Sequence, residues 1–376
     1  MIAGIVLVAV ILQGIVLLVS LADAASLGAA FGAAGAAAAW LTTAFVVLSF
    51  TFIVATLLAQ RGRHRFIDWF YAAASYWFGL VHFLFGGTVL FYLFAQCLYG
   101  ANYYVPPPLL GVICFAPALL LHLYGTRQSG RVKTTKISVA LPGLPAAWRG
   151  KTIAFASDLH LGCIRREAFA AQVARKTAAL RPELFIIGGD LYDGPACDEA
   201  KLIQPLRGLV AGLPHGAYFV AGNHEYFLPD PARAFAAIRE AGIRILDNDA
   251  ADINGLRILG VDYLKARSRD GFRTSLAAAN GRLAGGDPAK PTILVKHEPN
   301  DLEVARDAGV AFGLFGHTHH GQIWPLTYLT RQIYKGFDYG LKKLGTMQVY
   351  TSSGAGTWGP PLRLGTRSEI VAITLL

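Results

Sequence analysis

Five short stretches of this 376-residue chain carry side chains of the kind that bind metal ions. They are Ser157-Asp158-Leu159-His160, Gly188-Gly189-Asp190-Leu191-Tyr192-Asp193, Gly222-Asn223-His224-Glu225, Lys296-His297-Glu298-Pro299 and Gly316-His317-Thr318-His319. Residues two apart on an extended segment face the same way, so Asp158 with His160, and His317 with His319, can each offer two ligands to one site. Glycines before Asp190, Asn223 and His317 permit a sharp backbone turn at that point. A mixed set of imidazoles and carboxylates suits manganese, iron or zinc better than calcium or magnesium. One such pair alone would be a surface coincidence. Five, each directly after an apolar run, predict a metal centre.

The elements that must position these residues are legible as short apolar runs. Strands are expected at 152–156, 184–187, 217–221, 292–295, 311–315, 347–351 and 370–375, with helices at 166–180 and 231–241 between some of them. Such alternation argues for a layered α/β fold. In open α/β sheets the ligand crevice lies beyond the carboxyl ends of the strands, where residues far apart in the chain converge.

With these motifs in place, residues 136–376 resemble the calcineurin-like metallophosphoesterase superfamily. The resemblance rests on Asp158-x-His160, Gly189-Asp190-x-x-Asp193, Gly222-Asn223-His224-Glu225, His297 and Gly316-His317-x-His319. The stretch from Gly356 to Arg363 is similar to a bacterial, membrane-associated branch that includes lipid-linked phosphoesterases. The resemblance implies a layered αββα sandwich and two divalent cations, with manganese expected and iron or zinc as alternatives. It implies that Asp158, His160 and His319 hold one cation, that Asn223, His297 and His317 hold the other, and that Asp190 bridges them. It also implies that His224 stands near the scissile phosphate as proton donor or electrostatic stabiliser, oriented by Asp193; an acceptor for loop amides is the other reading of Asp193. Arg165, Arg166 and Arg363 are candidates to meet a second phosphate or an acidic headgroup, against the plain reading of surface arginines. His320 reads as a residue behind the ligands or exposed, and His64 and His215 as ordinary loop residues.

The first third of the chain is of a different character. Hydrophobic residues make up 54% of the whole and charged residues only 15%, where soluble domains run nearer about 25% charged. Residues 1–125 hold only Arg61, Arg63, Arg65, Asp23 and Asp68 as charges, so nearly all of the net +10 lies beyond them. About 20 apolar residues cross a bilayer, and four runs qualify: 2–22, 39–59, 69–96 and 107–124. The Ala/Gly-rich stretch 24–38 is read as an extension of the second span, with Gly28 and Gly32 permitting close helix packing. Three regions follow: a four-helix transmembrane bundle at 1–125, a linker and first strand at 126–150, and the metallophosphoesterase domain at 151–376.

Cations flanking spans favour the cytoplasm. The Arg61–Arg65 cluster, and Arg127, Arg131, Lys133 and Lys136, fall on one side if all four spans exist, which predicts a multi-pass protein of the bacterial inner membrane with a cytoplasmic catalytic domain. A cleaved signal peptide ending near Ala22-Asp23-Ala24 is the competing reading of the first span. His82 and His122 read as packed neutral imidazoles rather than functional groups. The four cysteines, Cys97, Cys114, Cys163 and Cys197, have no spacing that suggests zinc or disulfides and read as buried thiols.

Three functions remain open at this point. One is hydrolysis of a lipid-linked phosphodiester or pyrophosphate. Another is a phosphatase or nuclease acting on a soluble ester, with the helices only an anchor, and the third is a low-turnover scaffold or sensor. The expected partners are the bilayer and a lipid-linked phosphate, with no specific nucleic acid; the oligomeric state is open. The aromatic and basic segment 324–344, including Lys342 and Lys343, reads either as a membrane-interface element or as a buried lid over the sheet.

Overall fold

A computed structural model describes residues 2–61, 64–194, 198–282 and 290–376, with the side chains of 2–9, 60 and 61 left out. Arg63 and Cys197 lie outside the described residues. Two compact units are present: 1–127 with 359–362, and 128–358 with 363–376.

In the first unit, α1 (Ile2–Phe31), α2 (Gly35–Ser49), α3 (Thr51–Arg61), α4 (Arg65–Gly100) and α5 (Pro107–Ser129) form four membrane-length apolar spans, α2 and α3 together making one. Residues 24–31 continue α1 rather than extend the second span, because the chain reverses only at Gly32, whose φ is +72°. Gly32 therefore serves the turn and not helix packing. Helix contact falls instead to Gly87, where a Cβ would strike Phe115, and to Gly111, where it would strike Ala30. A polar joint ties α1 to α4: Thr88 Oγ1 donates to Asp23 Oδ1 at 2.7 Å and lies 2.7 Å from Ser26 Oγ. His82 Nδ1 lies 2.7 Å from the Phe78 carbonyl of its own helix, and His122 is buried edge-on to Phe83. Cys114 is buried, but Cys97 is exposed on α4, which corrects the expectation of buried thiols throughout.

The second unit contains twelve strands among its described residues: β1 (Lys133–Val139), β2 (Thr152–Ala156), β3 (Leu184–Ile187), β4 (Ala217–Phe219), β5 (Ile243–Ile245), β6 (Asp249–Ile253), β7 (Leu256–Val261), β8 (Thr292–Lys296), β9 (Phe312–Phe315), β10 (Gly340–Leu344), β11 (Met347–Thr351) and β12 (Glu369–Leu375). Its helices are α6 (Glu167–Ala178), α7 (Glu199–Ala211), α8 (Pro231–Glu240), α9 (Arg269–Gly281), α10 (Leu302–Asp307) and α11 (Leu326–Ile333). Since α5 ends at Ser129 and β1 starts at Lys133, the linker is shorter than the sequence predicts: helix and strand absorb most of it.

One sheet has the order β1-β12-β2-β3-β4-β5 and the other β10-β11-β9-β8-β7-β6. The strand period of two sorts their side chains into layers. Ile153 and Phe155 of β2, and Leu184 and Ile186 of β3, enter one core with Ile293 and Val295 of β8 and Phe312 and Leu314 of β9. Alternate residues Ala154, Ala156, Phe185 and Ile187 turn to the other face and pack with Phe169 and Val173 of α6, Leu202 and Leu206 of α7 and Ile238 of α8. On the far side, Leu259, Leu294 and Val349 pack with Phe272 and Leu276 of α9 and Leu302 of α10. The result is the αββα sandwich. β2, β3 and β4 run parallel, as do β8 and β9, so the metal-type motifs all follow carboxyl ends of strands.

Candidate metal centre

The ligand-bearing residues leave their strands through left-handed backbone. Asp158 (φ +54°), His160 (+48°), Asp190 (+51°), His317 (+67°) and His319 (+48°) all lie in the region that side-chain-bearing residues rarely occupy. The pairing of Asp158 with His160, and of His317 with His319, is thus made by kinked loops and not by extended alternation, which corrects the reason given by the sequence pattern. Such strain persists where surrounding bonds over-determine it. Here Asp158 N–H donates to the Gly189 carbonyl at 2.9 Å and His160 N–H to that of Asp190 at 3.0 Å. His317 N–H donates to Asp158 Oδ1 at 3.0 Å. Gly189, at φ +91°, does turn the chain. Gly222 and Gly316 are needed instead for close approach, because a Cβ at either would collide with the carboxylate of Asp190 or Asp158.

These loops gather three overlapping clusters, one of them His160, Asp190 and His224. Asp158, His160 and His319 offer ligand atoms all within 4.8 Å of one another, as do Asp190, His297 and His317. Asp190 Oδ2 lies 3.1 Å from His297 Nε2 and 3.9 Å from His160 Nε2, so it stands between the two groups. Asn223 joins the second, its Oδ1 being 2.9 Å from His317 Nδ1.

Whether this set fits divalent cations is decided by its unsatisfied atoms. His297 Nδ1 lies 2.8 Å from the Gly188 carbonyl, and its buried Nε2 faces Asp190 Oδ2 at 3.1 Å without hydrogen-bond geometry. Outer hydrogen bonds of this sort orient a ligating imidazole. His160 Nε2 and His319 Nε2 face each other at 3.0 Å, an arrangement that needs a proton or a cation between them. Asp158 and Asp190 are both buried, Asp190 beside Glu225. Burial, with Asp190 nearby, pushes the Asp158 carboxyl up; burial also opposes charge on Asp190, but His297 and then His224 outweigh it and hold Asp190 well below the usual carboxylate range. Buried negative charge next to orphaned imidazole nitrogens matches a divalent-cation site.

His224 sits at the edge of this centre. Its backbone N–H donates to Asp190 Oδ1 at 2.9 Å, and its Nδ1 lies 2.8 Å from Asp193 Oδ1. Asp193 Oδ2 is 3.5 Å from His160 Nδ1, so one carboxylate braces both rings. Burial works against protonating His224, yet Asp190 and then Asp193 outweigh it and push the imidazole up to about 9. These carboxylates favour the protonated ring.

The three arginines differ in what their side chains meet. Arg363 is fully buried and donates to the carbonyls of Ser353 (2.5 Å), Gly356 (2.7 Å) and His319 (3.3 Å). That corrects its expected role at a substrate phosphate: with its donors turned to backbone oxygens, it fastens His319 and the loop whose Gly356 N–H bonds Asp158 O. Arg165 donates to the Ser129 carbonyl at 2.8 Å and lies over the Phe169 ring, while Arg166 precedes α6 with its Nε 4.0 Å from Glu167 Oε2. His320 stacks on Tyr339, and the rings of His215 and Trp148 are 5.2 Å apart.

Sequence reasoning gave no role to Glu225, although it closes the third motif. Its buried carboxylate accepts the N–H groups of Asp190, Leu191, Tyr192 and Gly222, at 2.8–3.3 Å, and so fixes two ligand loops together. Glu225→Ala strands these donors, at about 1–3 kcal/mol each if no water replaces the carboxylate. Thermal unfolding of the purified chain is expected to show a loss of roughly 4 kcal/mol or more; an unchanged melting curve would remove this role. Phe227 and Tyr263 were also not anticipated, and Tyr334 only as part of the aromatic and basic segment 324–344. Phe227 lies edge-on to His224 with ring centroids 5.6 Å apart and is 70% exposed, and the Tyr263 and Tyr334 rings are each 6.3 Å from that of His317. They give the centre an aromatic rim.

Comparison with known proteins agrees with this geometry. A family profile described as calcineurin-like phosphoesterase matches residues 151–321. An uncharacterized metallophosphoesterase of Aquifex aeolicus is 32% identical over 262 residues, which cover 69% of this chain and 97% of the relative. An uncharacterized metallophosphoesterase of Helicobacter pylori is 34% identical over 223 residues, 58% of each chain. A Bos taurus protein named transmembrane protein with metallophosphoesterase domain is 31% identical over 283 residues, 71% of this chain and 62% of that one. The chain thus spans less than two thirds of the length of the last two relatives.

Proposed function

Because the chain belongs to the calcineurin-like metallophosphoesterases, we propose that it hydrolyses a phosphodiester or pyrophosphate of a lipid-linked substrate at the cytoplasmic membrane face. The observation that carries the reaction class is Asp190, whose Oδ2 faces both His297 Nε2 and His160 Nε2 and so stands between the His297 and His317 pair and the Asp158, His160 and His319 group. Asp158, His160 and His319 would hold one cation, Asn223, His297 and His317 the other, and Asp190 both. Manganese is the ion of choice for this nitrogen and oxygen donor set, with iron or zinc as alternatives. Such a pair supplies Lewis-acid stabilisation of phosphate oxygens and makes water a nucleophile at neutral pH.

The chain's own side chains do the rest. Protonated His224 lies at the edge of the centre, where it stabilises charge on the phosphate and passes its proton to the departing oxygen. Asp193 holds the ring so that Nε2 is the donating atom. Four membrane-length spans on the same chain, and the rim of Phe227, Tyr263 and Tyr334, favour a substrate with an apolar portion. The arginine clusters beside the spans favour the cytoplasmic side.

The test is a comparison of a lipid-linked phosphodiester in vesicles, a nucleotide ester and an aryl phosphate with the full chain. A specificity of at least about tenfold for the lipid ester, roughly 1.4 kcal/mol in the transition state, is expected. Preference for the nucleotide or the aryl ester would make the helices an anchor only.

A further inference from the structure

Helices on soluble domains turn their apolar stripe inward; α11 does the reverse. Leu326, Leu329 and Ile333 recur at the spacing of one helix face, and they are 51%, 54% and 61% exposed. The half-buried residues of this segment are Thr327, Thr330 and Tyr334, so it rests on the domain through two threonines and one ring. No residue of α11 is buried, so this part of segment 324–344 is not a lid over the sheet, whereas Phe337 and Leu344 of the same segment pack on the core. Trp324, just before the helix, is 55% exposed, and Tyr328 is 62% exposed. Arg331 and Lys335 are exposed on the same segment, with Lys343 exposed on β10. The far end reaches the metal centre: Tyr334 lies edge-on to His317, and its hydroxyl is 3.4 Å from Glu298 Oε1.

We propose that α11 is an interfacial helix, seating Leu326, Leu329, Ile333 and Trp324 in the headgroup layer of an anionic bilayer, with Tyr334 linking that contact to the metal centre. Three features select lipid as the occupant. Only residues 130–132 lie between the last spanning helix and β1, so a bilayer is the apolar phase this unit meets at the highest local concentration. Tryptophan, tyrosine, arginine and lysine around an apolar stripe are the composition of an interfacial helix. The positive excess of the chain beyond its spans complements anionic headgroups. The proposal rests on the lipid-phosphate reading only for its catalytic consequence: the helix would hold the aromatic rim where a lipid phosphate is presented.

The experiment uses the full chain in nanodiscs of phosphatidylcholine and phosphatidylglycerol, with or without lipids brominated near the headgroup end of the acyl chains. Trp324→Phe isolates the emission of that residue by difference. An interfacial helix seats about 5–10 Å into the headgroup boundary, so Trp324 is expected to lose about half or more of its emission to bromine. Leu329→Glu with Ile333→Glu, both at exposed positions, should relieve that quenching and leave hydrolysis of a soluble aryl ester unchanged. A Trp324 that bromine does not quench, whether it faces water or is covered by a second copy, overturns the proposal. If quenching is found while lipid esters are hydrolysed no better than soluble ones, the interfacial helix stands and the lipid-substrate reading fails.

Discussion

Asp190→Asn is expected to lower bound divalent metal at both positions together and to reduce turnover by about a hundred- to a thousandfold, on the scale seen when a single group stabilising transition-state charge is removed. The side chain keeps its shape and an oxygen for the His224 N–H, so folding is preserved while the shared negative charge is lost. Asp190 is the carboxylate placed between the His297 and His160 nitrogens. Its neutral amide leaves each cluster one anionic donor short. Asp158→Asn is the informative contrast: Asp158 groups with His160 and His319, so its loss should weaken one position more than the other. Elemental analysis beside the rate measurement checks both. Full metal content with full turnover in Asp190→Asn would remove Asp190 from the centre.

The second large effect concerns proton transfer. His224→Asn should slow hydrolysis of esters with poor, alkyl leaving groups by about 10²–10⁴, the usual contribution of a positioned acid. Esters with a nitrophenolate leaving group, which departs without a proton, should be slowed much less. His224 is the candidate because Asp190 and Asp193 keep it protonated, at about 9. The sign follows from its role. The acid form is complete at neutral pH and is lost as pH rises through that value, so the rate falls on the alkaline side. Bound cations beside Asp190 shift that fall to lower pH, since like charge disfavours the imidazolium. Equal losses for both leaving groups would mean that His224 stabilises charge without giving up its proton.

Much of this was legible before any coordinates, and the exceptions have physical causes. Strands β2, β3 and β11 fall on the residues their apolar runs mark, because buried strands announce themselves by continuous hydrophobicity. β5, β6 and β10 are edge strands, short or rich in charge, and Lys342 and Lys343 of β10 read as a basic patch when they decorate a sheet edge. In β7 the apolar run is interrupted by Arg257 and Gly260. The candidate cluster was readable because imidazoles and carboxylates after strand ends are rare together. The means of their convergence was not, since left-handed φ at Asp158, His160, Asp190, His317 and His319 has no signature in residue type.

Arg363 misled for a related reason. Arginine is expected in solvent or on phosphate, and its fully buried use as a fastener of carbonyls depends on a loop from elsewhere in the chain. Glu225 was in plain view after His224, but four converging backbone donors are visible only when the loops of residues 190–192 and 222 meet.

Metal stoichiometry tests the central claim most directly. The purified full chain, measured by elemental analysis before and after chelation, is expected to carry two divalent ions per chain, to lose phosphoesterase activity when stripped and to regain it with manganese, iron or zinc. A chain that retains full activity with no metal bound, or that takes up none and stays inert with each of these ions, would contradict it.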